Sequence, residues 1–368
     1  MSGAQIIVLA MPVFLLAIAA EWAVGRVRGR NTYRLGDTLA SLGLGVMSQV
    51  ADAFGTLFKV AMYTWVFDHV AWFELSATSP WVWLGALLGY DLCYYGLHRA
   101  GHRVAVLWAA HAVHHQSEDY NLGTALRQTS SGFVFGWIFY LPLAVLGVPP
   151  PVFAAVALID LLYQFWVHTQ HVGKLGWFDR WFGSPSNHRA HHAVNDRYLD
   201  KNYGGILIVW DRLFGTFVEE NERDPVVYGT RAPLRSFDPL WANLQIYRDL
   251  WRDCWRTRSW ADKLRVWLEP PGWRPADVAA RWPKPAFDIG SVQRYDPPLS
   301  ARAALAACAL FAAVLAGLGG FLWNLHRLGA AEQLLGGAAI VAVLWLIGAI
   351  TQPRRPHAAT GAGAAPNR

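Results

Sequence analysis

The histidines of this chain have a number and a spacing that suit metal chemistry. Thirteen occur, and ten of them fall into four short boxes. Residues three or four apart share one face of a helix, so each box can aim imidazoles at a common metal ion. Neutral imidazole is a good ligand for iron, zinc and copper. The boxes are His98-Arg-Ala-Gly-His102, His111-Ala-Val-His114-His115, His168-Thr-Gln-His171 and His188-Arg-Ala-His191-His192.

Two of these boxes share an H-x-x-H-H spacing, which suits a pair of metals better than one. The first and third histidines of such a box lie on one helical face, and the middle one points at an adjoining angle. Each box is therefore expected to bridge two metal ions. The three remaining histidines (His69, His326 and His357) stand alone and are expected to be interfacial or simply hydrogen-bonded.

Carboxylate ligands are missing from the boxes, which excludes two familiar metal sites. Ferritin-like di-iron bundles use Glu-x-x-His pairs, and zinc proteases use His-Glu-x-x-His. Neither pattern occurs in the four boxes. A purely structural role is also a poor explanation, because ten clustered imidazoles beside apolar segments would be costly without a metal.

Composition places these boxes in a membrane protein. Hydrophobic residues make up 54% of the chain and charged residues only 16%, with 20 Trp and 13 Tyr. Soluble proteins carry about 25% charged residues, and Trp and Tyr favour the membrane–water interface. The net charge of +6 is modest, and no nucleic-acid motif accompanies it. Three separate cysteines are interpreted as reduced structural thiols.

The apolar stretches predict an all-α fold, a polytopic bundle of membrane helices. Several approach the roughly 20 residues that cross a bilayer. Consecutive prolines at 149–151 divide the fourth stretch from the fifth and predict a helical hairpin. The short aromatic stretch Tyr63–Phe73 is interpreted as interfacial. The predicted spans are Ala4–Val24, Asp37–Phe58, Trp81–Leu97, Ser131–Leu146, Val152–Val167, Ala301–Leu322 and Ala331–Ile350.

Charge predicts the orientation of these spans. The first stretch has no Lys or Arg before it, and a basic loop (Arg26–Arg34) follows it. This pattern favours a retained span whose end faces the cytoplasm over a cleaved signal peptide. If each later span crosses in turn, every histidine box falls on that same face. We therefore expect an integral, multi-pass membrane protein whose active site is a cytoplasmic, histidine-rich cap that holds two metal ions.

The same pattern predicts the domain organisation. Tryptophans between 241 and 267 either lie along the headgroups as amphipathic helix or are ordinary buried residues, and the sequence leaves both open. The expected divisions are N-terminal transmembrane and interfacial helices at 1–80, a histidine-box domain at 81–245, a cytoplasmic Trp- and Arg-rich segment at 246–300, a transmembrane hairpin at 301–352 and a disordered tail at 353–368.

The boxes, together with the run Asp91-Leu-Cys-Tyr-Tyr-Gly-Leu-His98-Arg99, resemble the fatty acid hydroxylase/sterol desaturase superfamily. The stretches 111–128, 161–169 and 200–217 are particularly similar to its ether-cleaving branch, the alkylglycerol monooxygenases. The resemblance covers roughly residues 80–245. It implies a non-haem centre of two Fe ions, O2 as oxidant and a membrane lipid as substrate. For the ether-cleaving branch it also implies tetrahydrobiopterin as reductant and release of an aldehyde and glycerol.

The resemblance also implies the ligands, box by box. Arg103 follows the first box where the ether-cleaving pattern has Glu, and His171 has no counterpart in that pattern. No catalytic residue beyond the ligands is predicted, and no cofactor-binding residue is assigned. The implied metal ligands are His98, His102, His111, His114, His115, His168, His188, His191 and His192.

Nearby polar residues have two interpretations each. Asp91 either orients a histidine ligand or is a buried carboxylate paired with an arginine. The polar segment after the second box (Glu118, Asp119, Asn121, Arg127, Gln128) is either a wall for a headgroup or reductant or a solvated loop. Asn202 and Tyr203 are placed near the metals by resemblance alone.

Two other functions fit parts of the pattern. The boxes also suit a sterol or fatty-acyl hydroxylase or desaturase that receives electrons from a redox protein. A membrane metal transporter is less favoured, because its ligands should interrupt the spans near mid-bilayer. The sequence leaves open the lipid, the reductant, the oligomeric state and the function of the C-terminal hairpin.

Overall fold

The chain is known from a computed structural model that describes residues 3–352. Within that range the regular structure is helical, apart from two isolated antiparallel bridges that join Phe182 to Leu207 and Ala193 to Tyr228. The predicted all-α class is therefore confirmed. The tail at 353–368, which was predicted to be disordered, lies outside the described residues.

Two long helices open the fold, α1 (Gly3–Val27) and α2 (Leu35–Val70). At about 1.5 Å per residue, the 36 residues of α2 extend beyond the roughly 30 Å of a bilayer core. The division of this region into a span at Asp37–Phe58 and a separate interfacial piece at Tyr63–Phe73 was wrong. Residues 59–62 contain no Gly or Pro, so nothing in the chain interrupts the helix there.

The next segments form the centre of the fold. The predicted span Ser131–Leu146 is not one helix, because Gly132, Gly136 and Pro142 interrupt it with short α and 3-10 turns. The prolines at 149–151 do separate it from the following helix, which begins at Pro150, where a missing N–H costs nothing. The elements are α3 (Pro80–Arg103), α4 (Ala105–His115), α5 (Leu122–Ala125), α6 (Gly132–Phe135), a 3-10 turn (Gly136–Tyr140), α7 (Leu141–Val145) and α8 (Pro150–Trp166).

Short helices separated by loops follow, and then a long helical hairpin. The short elements are α9 (Phe178–Trp181), α10 (Pro185–His191), α11 (Val209–Leu213), α12 (Pro239–Arg256), α13 (Trp260–Leu268), α14 (Ala276–Arg281) and a 3-10 turn (Ile289–Ser291). The hairpin consists of α15 (Ala301–Asn324), a 3-10 turn (Leu325–Arg327) and α16 (Ala330–Thr351).

Within residues 3–352, three helical segments are long and apolar enough to cross a membrane: α1, α15 with its 3-10 turn, and α16. The apolar segments 132–145 and 150–166 are shorter. The hairpin packs on the N-terminal half of α2 through one apolar cluster. Its buried members include Leu39, Val46 and Val50 of α2, Ala307, Phe311, Val314 and Leu318 of α15, and Ile340, Leu344 and Ile347 of α16.

The other half of α2 packs on a different set of helices. Tyr63 and Val66 join Ala86 and Tyr90 of α3 and Val152 of α8 in a second apolar cluster. The Tyr63 hydroxyl donates to the carbonyl of Val148 over 2.9 Å. One half of α2 thus packs against the apolar hairpin, and the other half packs against the helices that carry the histidines.

Candidate metal centre

Four segments of the fold bring the nine predicted ligands into one place. Helix α3 ends in the first box, α4 carries the second, His168 follows α8, and α10 carries the fourth. The nine fall into two groups, in each of which one ring nitrogen per residue lies within 4.8 Å of all the others. The first group is His98, His102, His111, His115 and His191, and the second group is His114, His168, His188 and His192.

Each H-x-x-H-H box contributes to both groups, as its spacing predicts. From α4, His111 and His115 enter the first group, while His114 enters the second. In the fourth box the assignment to groups is the opposite: the middle histidine, His191, enters the first group, and the outer two, His188 and His192, enter the second. In each box the two histidines that are four residues apart belong to one group, and the middle histidine belongs to the other.

Backbone carbonyls fix the orientation of four of these rings. Nδ1 of His98 lies 2.8 Å from the carbonyl of Tyr203, and Nδ1 of His114 lies 2.8 Å from that of Arg127. A carbonyl can only accept, so in each case Nδ1 carries the hydrogen and Nε2 is left with a lone pair. The same holds for His168 with the Gln164 carbonyl at 2.8 Å and for His191 with the Lys201 carbonyl at 2.9 Å.

The free Nε2 atoms then point at one another inside each group. In the first group, Nε2 of His111 lies 3.1 Å from that of His98 and 3.0 Å from that of His115. In the second, Nε2 of His168 lies 3.1 Å from that of His114 and 3.0 Å from that of His188. In the His114–His168 contact both Nδ1 atoms carry the hydrogen, so two Nε2 lone pairs face each other and repel, and a cation between them removes the repulsion.

Two further ring atoms support the same conclusion. Nε2 of His102 and Nε2 of His191 are buried and have no hydrogen-bond partner. An unpaired buried acceptor costs about 1–3 kcal/mol, which a metal bond would recover. The donor set therefore fits two metal ions, one in each group.

Electrostatics favours the ligand form of these histidines. The rings are buried, and burial lowers the pKa of His114 to about 4. Burial likewise lowers the pKa of His115, His188 and His192 well below the usual value. The imidazoles are consequently neutral at pH 7, as metal coordination requires.

Aromatic side chains cover the two groups. The Trp108 ring lies 5.1 Å from that of His102 and 5.6 Å from that of His115, and the Tyr203 ring lies 5.3 Å from that of His102. Over the second group, Tyr120 stacks on His168 at 5.5 Å and on Tyr228 at 4.9 Å. The sequence analysis missed Trp108 and Tyr120. For Trp108 a signal existed, since it precedes His111 by three residues and so shares its helical face.

The loop of residues 200–205, called the 200–205 loop below, supports the first group. Its Lys201 and Tyr203 carbonyls are the acceptors for His191 and His98. Asp200 and Asn202 adopt positive φ angles of 57° and 58°. The Asn202 side chain holds this shape, since its amide donates to the carbonyls of Asn187 and Val218 and its oxygen accepts from the Val218 N–H.

Asp91 does neither of the things that the sequence suggested. It accepts hydrogen bonds from the backbone N–H of Ile206 at 2.7 Å and of Leu207 at 3.0 Å, and from the Trp210 indole at 2.8 Å. It therefore contacts no histidine ligand and no arginine through these bonds. Its carboxylate instead anchors the end of the 200–205 loop, whose Lys201 and Tyr203 carbonyls contact His191 and His98.

His171 lies outside both groups. Its ring approaches Gly25 near the end of α1, where a Cβ would come within 3.2 Å of Nε2. Arg103 is in neither group and makes a half-exposed ion pair with Asp200, at 3.2 Å between Nη1 and Oδ2. The oxygen Oδ1 of the same Asp200 lies 3.7 Å from Nδ1 of His102.

The polar segment after the second box is buried rather than solvated. Asp119 pairs with Arg34 at 2.9 Å, and the Asn121 amide donates to the Thr32 carbonyl at 2.7 Å. The buried Arg127 guanidinium donates to the Val113 carbonyl at 2.7 Å, at the end of α4. These bonds tie the α1–α2 loop to the second box, so the solvated-loop interpretation was wrong.

Comparison with known proteins shows what the region around this site is similar to. Residues 83–216 match the family model described as fatty acid hydroxylase. The chain is 41% identical to an alkylglycerol monooxygenase of Homo sapiens over 261 residues, which cover 71% of this chain and 57% of that protein. It is 39% identical to the Xenopus tropicalis alkylglycerol monooxygenase over 285 residues, covering 77% of this chain and 63% of that protein.

A more distant match broadens the range of substrates among the relatives. An ornithine lipid hydroxylase of Rhizobium tropici is 29% identical over 179 residues, covering 46% of this chain and 53% of that protein. The chain thus spans between half and two thirds of the length of these curated relatives. No solved structure matches it.

Proposed function

We propose that this chain, which carries a fatty acid hydroxylase domain at residues 83–216, is a membrane di-iron monooxygenase that uses O2 to cleave alkylglycerol ethers. The observation that carries the proposal is the pair of histidine groups within that domain, in each of which one ring nitrogen per residue lies within 4.8 Å of the others. The roughly 40% identity to alkylglycerol monooxygenases supports the choice of substrate.

The nine histidines are the proposed ligands, five for one iron and four for the other. When bound, the iron pair would supply the activation of O2. The protein's own contribution is to bind, orient and keep water out. The carbonyls of Tyr203, Arg127 and Gln164 hold the rings in one tautomer, while Trp108 and Tyr120 exclude water from the faces of the groups.

The proposed reaction inserts one oxygen atom of O2 into the C–H bond next to the ether oxygen. The second oxygen atom leaves as water, with two electrons and two protons supplied by a reductant. The resulting hemiacetal breaks its C–O bond and gives a fatty aldehyde and glycerol. We propose tetrahydrobiopterin as the reductant, on the strength of the likeness to the ether-cleaving branch.

The site's position suits a lipid whose reactive bond lies close to its headgroup. The boxes follow the ends of α3 and α8, so a lipid could enter between these helices from the bilayer with its polar end at the cap. We propose that the chain crosses the membrane several times and that the metal centre faces the cytoplasm. The three long apolar segments and the basic loop after α1 support this arrangement.

The test is turnover by the purified, iron-loaded protein in lipid nanodiscs. It is given 1-O-alkylglycerol, O2 and tetrahydrobiopterin, and fatty aldehyde is followed by mass spectrometry. We expect aldehyde from the wild type and from His171→Ala, and none from His114→Ala. Full iron loading without aldehyde would contradict ether cleavage. A hydroxylated sterol or fatty acyl product, formed only with a redox protein, would support the alternative hydroxylase function.

A further inference from the structure

Helix α12 has the polarity of a membrane-surface helix. The face that packs on the rest of the protein contains the polar side chains Asn243, Gln245 and Asp253, which are buried. Its opposite face exposes Leu240, Leu244, Trp251 and Trp255, at the spacing of a single helical stripe. A helix on a water-exposed surface has the opposite distribution, with its apolar side chains buried and its polar side chains in water, because burying polar groups costs free energy.

Helix α13 continues the same surface. Trp260, Leu264 and Leu268 follow one another at four-residue steps and are 82%, 71% and 65% exposed, while Val266 on the other side is buried. Lys263 links the two helices, since its ammonium lies 5.9 Å from the Trp255 ring and 5.6 Å from the Trp260 ring. We call the surface formed by Leu240, Leu244, Trp251, Trp255, Trp260, Leu264 and Leu268 the Trp–Leu face.

Basic residues border the Trp–Leu face. Residues 239–268 contain six Lys or Arg and three Asp, a balance of +3 in this segment. The Arg248, Arg252 and Arg265 side chains are about half exposed. Exposed Trp and Leu with a basic border are the features by which interfacial helices bind anionic lipid, the rings among the headgroups and the cations on the phosphates.

The fold places α12 where a span would leave the bilayer. Residues 237 and 238, just before α12, pack against Gly348 in the last turns of α16. The Ser236 hydroxyl also donates to the Gln352 side chain over 2.8 Å, directly after α16 ends. Because α16 is one of the three segments able to cross a membrane, α12 begins at the level of the headgroups.

We propose that the Trp–Leu face lies in the headgroup layer of an anionic leaflet. A water-soluble partner protein would leave the junction with α16 unexplained, whereas a leaflet accounts for the exposed aromatic residues, the basic border and that junction together. The contact also sets the depth of the metal centre. Helix α12 packs on α4, and the Gln116 amide, next to His115, donates to the Ala242 carbonyl over 3.0 Å.

The experiment measures the depth of a spin label in the full chain. Leu264→Cys is labelled with a nitroxide after Cys93, Cys254 and Cys308 are replaced by serine, and the protein is reconstituted into phosphatidylcholine vesicles that contain phosphatidylglycerol. We expect the label to collide more with O2, which is concentrated in the bilayer, than with a water-soluble nickel chelate. A label at Glu219→Cys, on an exposed residue away from the face, should show the opposite preference.

A second variant tests the contribution of charge. Arg248→Glu combined with Arg252→Glu should move the label at residue 264 towards water in these vesicles, and the pair Arg197→Glu with Arg223→Glu should not. Bound iron per chain, unchanged in each variant, verifies folding. The proposal is overturned if the label at 264 is as accessible to the chelate as the label at 219. Spin–spin coupling between labels at 264 would also overturn it, since the face would then be covered by a second copy.

Discussion

The two histidine groups consist of the same residue type but are supported by different kinds of structure. In the second group, the acceptor for His168 is the carbonyl of Gln164 within α8, and the acceptor for His114 is the carbonyl of Arg127 in the irregular segment after α5. In the first group, the acceptors for His98 and His191 belong to the 200–205 loop, which is shaped by two residues with positive φ. One of the two acceptors of the second group thus lies in a helix, whereas both acceptors of the first group lie in the 200–205 loop.

This difference predicts a difference in rigidity. Loops open more readily than helices that are packed in a core, because fewer buried contacts hold them. A site whose histidines are oriented by the carbonyls of a loop should therefore release its metal more easily. We therefore expect the first group to exchange its iron faster than the second, although it has one histidine more.

The largest expected effect comes from removing a ligand of the smaller group. His168→Ala leaves three histidines in the second group, whereas His111→Ala leaves four in the first. We expect His168→Ala to lose about half of the bound iron and all measurable turnover, because three ligands and a lost Nε2 contact hold iron poorly. Iron per chain, measured by mass spectrometry together with aldehyde release, checks this.

His171→Ala is the control for that comparison, since His171 belongs to neither group. It should keep both its iron and its turnover. If His111→Ala lost as much iron as His168→Ala, the number of ligands left would not determine the retention of metal, and the assignment of five and four would be contradicted.

The second expected effect breaks the loop and spares the helices. Asn202→Ala removes three hydrogen bonds from a buried side chain and leaves Ala at a φ of 58°. We expect the free energy of unfolding to fall by about 2 kcal/mol and iron affinity in the first group to fall roughly 10–100-fold. Titration of metal-free protein with iron should then resolve one tight site and one weakened site.

Asn195→Ala provides a matched control. Asn195 is also buried and makes three comparable hydrogen bonds, to Asp224, Pro225 and Val227, but it carries no acceptor for a ligand. It should lower the stability by a similar amount and leave both iron sites equal to those of the wild type. Equal weakening of both sites by Asn202→Ala would show that the 200–205 loop does not serve the first group alone.

The contrast between the groups also marks what the sequence could reveal. Helical spacing alone predicted that each H-x-x-H-H box would reach two metals, because three and four residues are fixed fractions of a turn. The helical class and the long C-terminal hairpin followed from apolar runs in the same way. Ligation by these nine histidines itself stays a prediction.

What the sequence could not reveal depends on backbone and on distant contacts. The acceptors at Lys201 and Tyr203 are carbonyls, which every residue has, so they leave no pattern in the sequence. Asp91 was expected either to orient a histidine ligand or to pair with an arginine, yet it bonds to the backbone of a residue 115 positions away. The continuous helix α2 was missed because composition changes along it while no residue breaks it.

A third effect is expected to be common to both groups, and it is smaller. Burial lowers the pKa of His114 to about 4, below the value of about 6.5 in an unfolded chain. The unfolded chain therefore binds the proton first as pH falls, so stability is full above pH 6.5 and is lost as pH falls towards 4. His114 alone should cost the metal-free protein about 2 kcal/mol at pH 5.

Thermal unfolding of metal-free protein at pH 7 and pH 5 measures this loss. His114→Gln keeps a polar side chain without a titrating ring and should reduce the loss. An unchanged melting temperature between the two pH values in the wild type would mean that the groups are hydrated rather than buried. Such a result would contradict the conclusion that burial keeps the histidines of both groups neutral before a metal binds.

The smallest expected effect on turnover concerns His102 in the first group and the Asp200 carboxylate that lies near its ring. Its Nδ1 lies 3.7 Å from Asp200 Oδ1, beyond a normal hydrogen bond, so the carboxylate acts on the ring mainly through charge. Asp200→Asn should therefore lower turnover only about threefold, equivalent to about 0.7 kcal/mol. The half-exposed partner Arg103 should matter less still, because solvent screens such ion pairs to about 0–1 kcal/mol.

Comparing Asp200→Asn with Arg103→Gln separates the two contributions. Turnover that falls in the first and not in the second would show that the Asp200 carboxylate supports His102 directly, whereas equal losses would show that the ion pair holds the 200–205 loop in place. If Asp200→Asn lost as much turnover as is measured for Asn202→Ala, Asp200 would have to move in and hydrogen-bond His102 when iron is bound. The first group would then have a carboxylate support that the second lacks, and the two groups would differ in charge as well as in rigidity.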